Sequence, residues 1–231
     1  MTVGGTRKEY LLIHDRCRQG FLKYLAEAFE FVLPEENPEI LDVGCGTGVP
    51  TIWVAEHTGG RIVAVDIDQE AIEWLAAKCE EKGLSDRITT VYSSFARHDF
   101  GEKRFDIIVA EGFLNVVGFS KGFRKMNSLL REGGFMVIHD DSADRDAKID
   151  FITSQGCTVV MSSMLDEKIW WNNYYRQLED EISSPGNIDL ARHFGGDISE
   201  IEQYRKDPLR FRSVYYVVRK ETDQKTAHAD N

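Results

Sequence analysis

The stretch Leu41-Asp42-Val43-Gly44-Cys45-Gly46-Thr47-Gly48 decides the fold. An apolar run that starts at Ile40 breaks into three glycines at alternate positions, and a helical pattern follows from Pro50 to Thr58. The pattern predicts a buried strand turning tightly into a helix, with backbone open to a ligand. A Cβ in such a loop would obstruct both the turn and the ligand's approach. Spacing separates the ligand classes. A dinucleotide fingerprint is G-x-G-x-x-G. Gly44 and Gly46 fill its first two places, but Val49 stands in the third, and the last glycine, Gly48, comes one residue early.

Outward from the loop, strand and helix patterns alternate. Residues 7 to 32 carry an apolar stripe (Cys17, Phe21, Tyr24, Leu25, Ala28, Val32) that reads as one helix ended by Pro34 and Pro38. Arg61 to Val65 reads as a second strand ending in Asp66, and Gln69 to Lys82 as a helix with Asp68 as N-cap and Gly83 as its stop. Further strands are expected at 88–92, 105–110, 135–138, 157–161 and 211–218. Helices are expected at 121–130, stopped by Gly133-Gly134, and at 144–154. Such alternation predicts an α/β fold with a mostly parallel sheet covered on both faces. Ligands then bind beyond the C-terminal strand ends, at the switch point of strand order. The motifs with chemistry all fall at such ends.

Asp66 follows the second strand, where a carboxylate can accept hydrogen bonds from both ribose hydroxyls. Glu111-Gly112 closes the fourth strand, and His139 follows the fifth. If an acceptor must lose a proton, His139 is the first candidate base and Glu111 the second. The run His139-Asp140-Asp141 lacks a distant partner that would complete a metal site, so no metal is assigned. Trp170, Trp171, Tyr174 and Tyr175 lie in an insert before the last strand. At α-helical spacing, 170 pairs with 174 and 171 with 175, so one pair is free to line a substrate cavity.

The loop resembles the first motif of the class I S-adenosylmethionine-dependent methyltransferases, an acidic residue followed by G-x-G-x-G. Asp42, Gly44, Gly46 and Gly48 match it, with Cys45 inside the loop. Leu129-Leu130-Arg131-Glu132-Gly133-Gly134-Phe135 resembles the family's late turn into the fifth strand, so the likeness spans roughly residues 40 to 140. Within the class, the Glu111-Gly112 turn and the aromatic insert look similar to the ubiquinone/menaquinone-biosynthesis-type small-molecule methyltransferases. The resemblance implies S-adenosylmethionine as cofactor and a Rossmann-like seven-stranded sheet, mostly parallel, with an antiparallel final hairpin and a helical cap. It places Ile67 against the adenine, with Ser94 and Phe95 meeting its polar edge, and Glu111 near the sulfonium. Ser94 departs from the family, which often has aspartate there. No N/D-P-P-Y/F tetrapeptide is present.

The 231 residues fit one domain: a helical lid at 1–33, a cofactor core at 34–165, a cap at 166–210, the last strand at 211–219 and a frayed tail at 220–231. Ser184-Pro185-Gly186-Asn187 and Gly195-Gly196 read as turns of the cap. A net charge of −11 disfavours phosphate backbones and anionic membranes. The scattered cysteines form no C-x-x-C pair and read as small buried hydrophobes. With no apolar run of membrane-spanning length and no secretion signal, the expected location is the cytoplasm. The expected function is methyl transfer to a small molecule, with no nucleic acid or membrane partner. The oligomeric state is open. The alternatives are a methyltransferase for RNA or protein, a non-catalytic cofactor-binding regulator and, last, a nicotinamide dehydrogenase.

Overall fold

Strand β1 (Glu39–Val43) forms because its residues alternate between two apolar layers. Ile40 faces one core and Leu41 and Val43 the other, so both faces of the strand are buried. That is why the run reads as continuously apolar. The computed structural model describes residues 5–33, 36–184, 190 and 193–222. The expected stop at Pro34, the turn residues Pro185 to Asn187 and the tail beyond residue 222 lie outside these.

The other strands are β2 (Arg61–Asp66), β3 (Ile88–Tyr92), β4 (Phe105–Glu111), β5 (Leu130–Asp141), β6 (Cys157–Leu165) and β7 (Ser213–Lys220). They form one sheet in the order β3-β2-β1-β4-β5-β7-β6. Pairings from β3 through β5 are parallel, and β7 runs antiparallel between β5 and β6. The expected Rossmann-like seven-stranded sheet is present, with its final hairpin antiparallel. The order reverses between β1 and β4, which sets the ligand crevice there.

Helices α1 (Gly5–Arg18), α2 (Leu22–Phe29), α3 (Val49–His57) and α4 (Gln69–Lys82) pack on one face. Helices α5 (Leu114–Val117), α6 (Phe119–Leu129) and α7 (Arg145–Ser154) pack on the other. Helix α4 begins and ends where expected. The Asp68 carboxylate accepts from the Glu70 and Ala71 amides, and Gly83 takes the left-handed conformation. The insert before β7 holds α8 (Glu167–Trp170), a π turn (Trp171–Tyr175), α9 (Arg176–Ile182) and α10 (Gly195–Lys206). Helix α1 packs against the π turn and α9.

Several expectations are corrected. The single helix over 7–32 is broken by a 3-10 turn at Gln19–Phe21. There a Cβ on Gly20 would stand 2.2 Å from the Asn173 carbonyl oxygen, so the insert packs directly on the backbone of that turn. Gly133 and Gly134 do not stop a helix. Helix α6 ends at Leu129 and β5 starts at once, carrying both glycines through an irregular register with β4. The longer β5 places His139 inside the strand rather than after it. Phe211 sits in a 3-10 turn (Pro208–Phe211) ahead of β7, Gly195-Gly196 start α10, and Lys220 belongs to β7 rather than to a tail. All four cysteines are free and buried. Among the described residues, no helix is long and apolar enough to cross a membrane.

Candidate active site

The glycine loop hangs from β2: the Gly44 and Cys45 amides both donate to the Val65 carbonyl, at 2.9 and 3.2 Å. Two of its glycines are required for different reasons. Gly46 has φ +51°, and a Cβ there would meet nothing within 4 Å, so the position opens to the cleft. Gly48 has φ +79° and lies against α4, where a Cβ would come within 2.2 Å of Leu75 Cδ1. Cys45 is buried, and burial pushes its thiol well above the ordinary range. It is a space-filling residue rather than a nucleophile.

Beneath the loop, the buried Asp42 carboxylate accepts from Thr51 Oγ1 at 2.6 Å. Burial raises its pKa to about 7; the Thr51 bond opposes the rise, and the negative charges of Glu111 and Asp66 add to it. Asp66 ends β2 with one carboxylate oxygen 2.7 Å from the Gly46 amide and the other 2.8 Å from the Asp68 amide. It therefore ties the loop to the next strand while staying at the cleft edge.

Two cavities meet at Gly44 and Asp66. The first, about 370 Å³, runs between Asp42, Gly46 and Glu111 on the sheet side and Tyr10, His14 and Arg18 of α1. The second, about 310 Å³, is lined by Ile67, Ser94, Phe95, Phe113 and Val116 among others. Its mainly apolar wall suits the faces of a flat ring. Together they form one cleft over the ends of β1, β2 and β4.

Glu111 stands beside the first cavity with 6% of its side chain exposed. It accepts from the Tyr215 hydroxyl at 2.5 Å and lies 3.6 Å from Arg18 Nη2. Burial raises its pKa, against the opposing effects of Arg18 and Tyr215. His139 is its register partner on β5. The imidazole stacks on Tyr215 (4.2 Å, 4°) and Trp170 (5.8 Å, 17°). Its Nε2 is 2.8 Å from Ser213 Oγ, which also accepts from Trp170 Nε1 at 3.0 Å. Burial, with a smaller effect from Arg18, pushes His139 down to about 3, so at neutral pH it is uncharged.

A third cavity, about 270 Å³, is lined by Arg18, His139, Trp170, Tyr175, Arg210 and Ser213 among others. Arg18 lines both this and the first cavity. The aromatic insert divides differently from its expected α-helical pairing. Trp170 and Tyr174 do touch (6.1 Å), but Tyr174 lines the first cavity, with its hydroxyl 3.0 Å from His14 Nδ1. Trp171 lines none of the three. It stacks on Tyr204 (5.5 Å, 17°) beneath Arg205. The π turn explains the change: its wider winding brings Trp170 and Tyr175, five apart, onto one side with rings 5.8 Å apart.

Sequence reasoning passed over Arg18, Arg210, Ser213 and Tyr215. Arg18 was legible only as a polar residue on a helix, and the two strand residues only as parts of β7.

This is the cleft of an α/β protein built to hold a nucleoside-bearing cofactor at the switch point of its sheet. Residues 40–134 match the model of a methyltransferase domain family. That stretch therefore carries a methyltransferase domain, and the chain is similar to the class I S-adenosylmethionine-dependent methyltransferases. Their cofactor, S-adenosylmethionine, fits the residues present: an open backbone at Gly46, the Asp66 carboxylate at the cleft edge and an apolar ring pocket.

The chain is 29% identical over 103 residues to Methyltransferase GfsG of Streptomyces halstedii, covering 44% of this chain and 37% of that one. It is 25% identical over 103 residues to a sterol 24-C-methyltransferase of Gibberella zeae, covering 44% and 27%. It is 34% identical over 105 residues to tRNA1(Val) (adenine(37)-N6)-methyltransferase of Phocaeicola vulgatus, covering 45% and 44%. The chain thus matches less than half the length of each of these relatives. In fold it is similar to a SAM-dependent methyltransferase from Thiobacillus denitrificans solved with S-adenosyl-L-homocysteine. The TM-score is 0.63 at 17% identity, covering 96% of this chain and all of that one.

Proposed function

We propose that this chain transfers a methyl group from S-adenosylmethionine to a small molecule held in the third cavity. One observation carries this reading: the third cavity meets the cofactor cleft at Arg18 and is walled by the insert, with room for a small molecule. Asp66 would hold the ribose, Ile67, Phe95 and Phe113 the adenine, and Asp42 and Glu111 the cationic methionine end. Ser94 would meet the adenine's polar edge. The cofactor supplies a sulfonium methyl already activated for in-line displacement. The chain's work is to align the acceptor and keep water out. Helix α1 and Tyr174 cover the cleft for that purpose.

His139 touches the acceptor cavity but is a weak base. Removing a proton from a group of pKa ~10 with one near 3 is uphill by roughly 9–10 kcal/mol. We assign His139 the role of a neutral hydrogen-bonding group that orients the acceptor. Glu111, which lines the cofactor cavity with its pKa raised, is the stronger base of the two. Sterol methylation by a relative supports the small-molecule class, and the tRNA relative supports an RNA substrate. The small third cavity, about 270 Å³, and the charge of −11 favour the former.

Calorimetric titration with S-adenosylhomocysteine, with NAD as control, tests the cofactor site. One-to-one binding of the first alone is expected. Labelled methyl donor offered with small acceptors and, separately, with tRNA tests the substrate class. Label entering only the tRNA would overturn the small-molecule reading.

A further inference from the structure

Resting on that reading, the charges and rings of the third cavity specify a class of acceptor. Its apolar wall is aromatic: the half-buried Trp170 and Phe211 line it, both backed by the fully buried Tyr175, which lies 28° from parallel to Trp170 and meets Phe211 edge-on at 5.7 Å. A flat ring is the shape such a wall favours. The charged groups around it are unequally satisfied. Arg212 Nε is bound to Glu167 at 2.8 Å. Asp140 and Asp141 both meet Lys148 Nζ, at 2.6 and 3.0 Å. Asp140 alternates with His139 along β5 and so turns its carboxylate to the opposite face of the sheet. Glu200 accepts from the Tyr175 hydroxyl at 2.9 Å, and His139 is neutral.

One lysine serves both aspartates and Glu200 makes no ion pair among the described residues, so the lining acids and arginines balance in number, but two guanidiniums lack a hydrogen-bonded acid. Arg18 has Glu111 at 3.6 Å, beyond hydrogen-bond length, and stands at the junction with the cofactor cleft. Arg210, exposed at the mouth, makes no ion pair or side-chain hydrogen bond among the described residues. A guanidinium offers five donors in a planar fork that matches a carboxylate.

We propose that the acceptor is a flat, ring-bearing anion. Its ring lies against Trp170 and Phe211, its carboxylate is taken by Arg210 at the mouth, and Arg18 adds positive potential from the inner end. Affinity for such a ligand falls with added salt, because Arg210 is exposed.

The test uses the full chain saturated with S-adenosylhomocysteine. By calorimetry, 4-hydroxybenzoate, 4-hydroxycinnamate and 6-hydroxy-2-naphthoate are each compared with their neutral amides. For at least one ring size the acid is expected to bind about tenfold tighter than its amide, the scale of a charged hydrogen bond. Arg210→Gln should cut that preference below about threefold and Arg210→Lys should keep part of it. S-adenosylhomocysteine affinity, read in the same samples, reports on folding. If no acid outbinds its amide, or if Arg210→Gln leaves the preference intact, the acceptor class is wrong. Failure of S-adenosylhomocysteine itself to bind would instead overturn the cofactor site, so the two failures are distinct.

Discussion

Asp42 combines a structural bond to Thr51 with a titration set by its burial. An unfolded aspartate has a pKa near 3.9, whereas here it is raised to about 7. The native state therefore binds the proton more tightly than the unfolded chain does. Stability from this group is highest below about pH 4, falls as pH rises to about 7, and is level beyond. Denaturant unfolding of Asp42→Asn should show the variant gaining on the wild type between pH 4 and 7, by up to a few kcal/mol. A difference constant with pH would contradict this. At Asp66, replacement by alanine removes the proposed ribose acceptor and frees the Gly46 amide. S-adenosylhomocysteine binding should weaken by about 1.5–3 kcal/mol in calorimetry, and unchanged affinity would refute the ribose assignment. The loop glycines separate binding from folding. Gly46→Ala, at positive φ and open to the cleft, should cost chiefly ligand affinity. Gly48→Ala, driven into Leu75, should lower the melting temperature, by roughly 1–3 kcal/mol of stability. Asp42, Gly44, Gly46, Gly48 and Asp66 were legible in sequence because their spacing is local and their chemistry is tied to backbone geometry. Arg18 and Ser213 were not, since each matters only through groups far away in the chain, Glu111 for one and His139 for the other.

The π turn over Trp171–Tyr175 shows where reading by element fails. The same residues support α or π winding, and only packing chooses between them. Here the wider turn sets Trp171 against Tyr204 and leaves Trp170 and Tyr175 at the third cavity. Trp171→Ala should therefore lower the melting temperature while leaving S-adenosylhomocysteine affinity unchanged. Trp170→Ala should weaken acceptor binding. It should also shift the His139 environment, visible as a changed imidazole NMR signal, because it removes a stacked ring and a donor to Ser213. The reverse pattern would restore Trp171 to the substrate side. The glycine pair at 133–134 misled in a similar way. Glycines after a leucine-rich helix signal a stop, yet here helix and strand are contiguous and the glycines serve the irregular start of β5.

At the scale of the whole molecule, α1 walls one side of the first cavity. It is tied to α4 through Arg7–Glu70 and Asp15–Lys78, to α9 through Arg16–Glu181 and to α10 through Tyr10–Asp197. Bound S-adenosylhomocysteine should therefore slow amide hydrogen exchange in residues 5–18 along with the glycine loop. Loop protection without protection of α1 would show that the helix does not cover the ligand. All seven strands, by contrast, were legible from alternating periodicity while their ends were not, and their order in the sheet came only with the structure. The placement of β7 has a consequence for the growing polypeptide. Strands β1 to β5 can assemble on leaving the ribosome, but β6 pairs only with β7 among the described strands and must wait for residues 166–212 to follow it out. Ser213 and Tyr215 arrive on that last strand. A nascent chain is thus able to pair the strands that carry the glycine loop, Asp66 and Glu111 before Tyr174 and Tyr215 emerge to complete their surroundings.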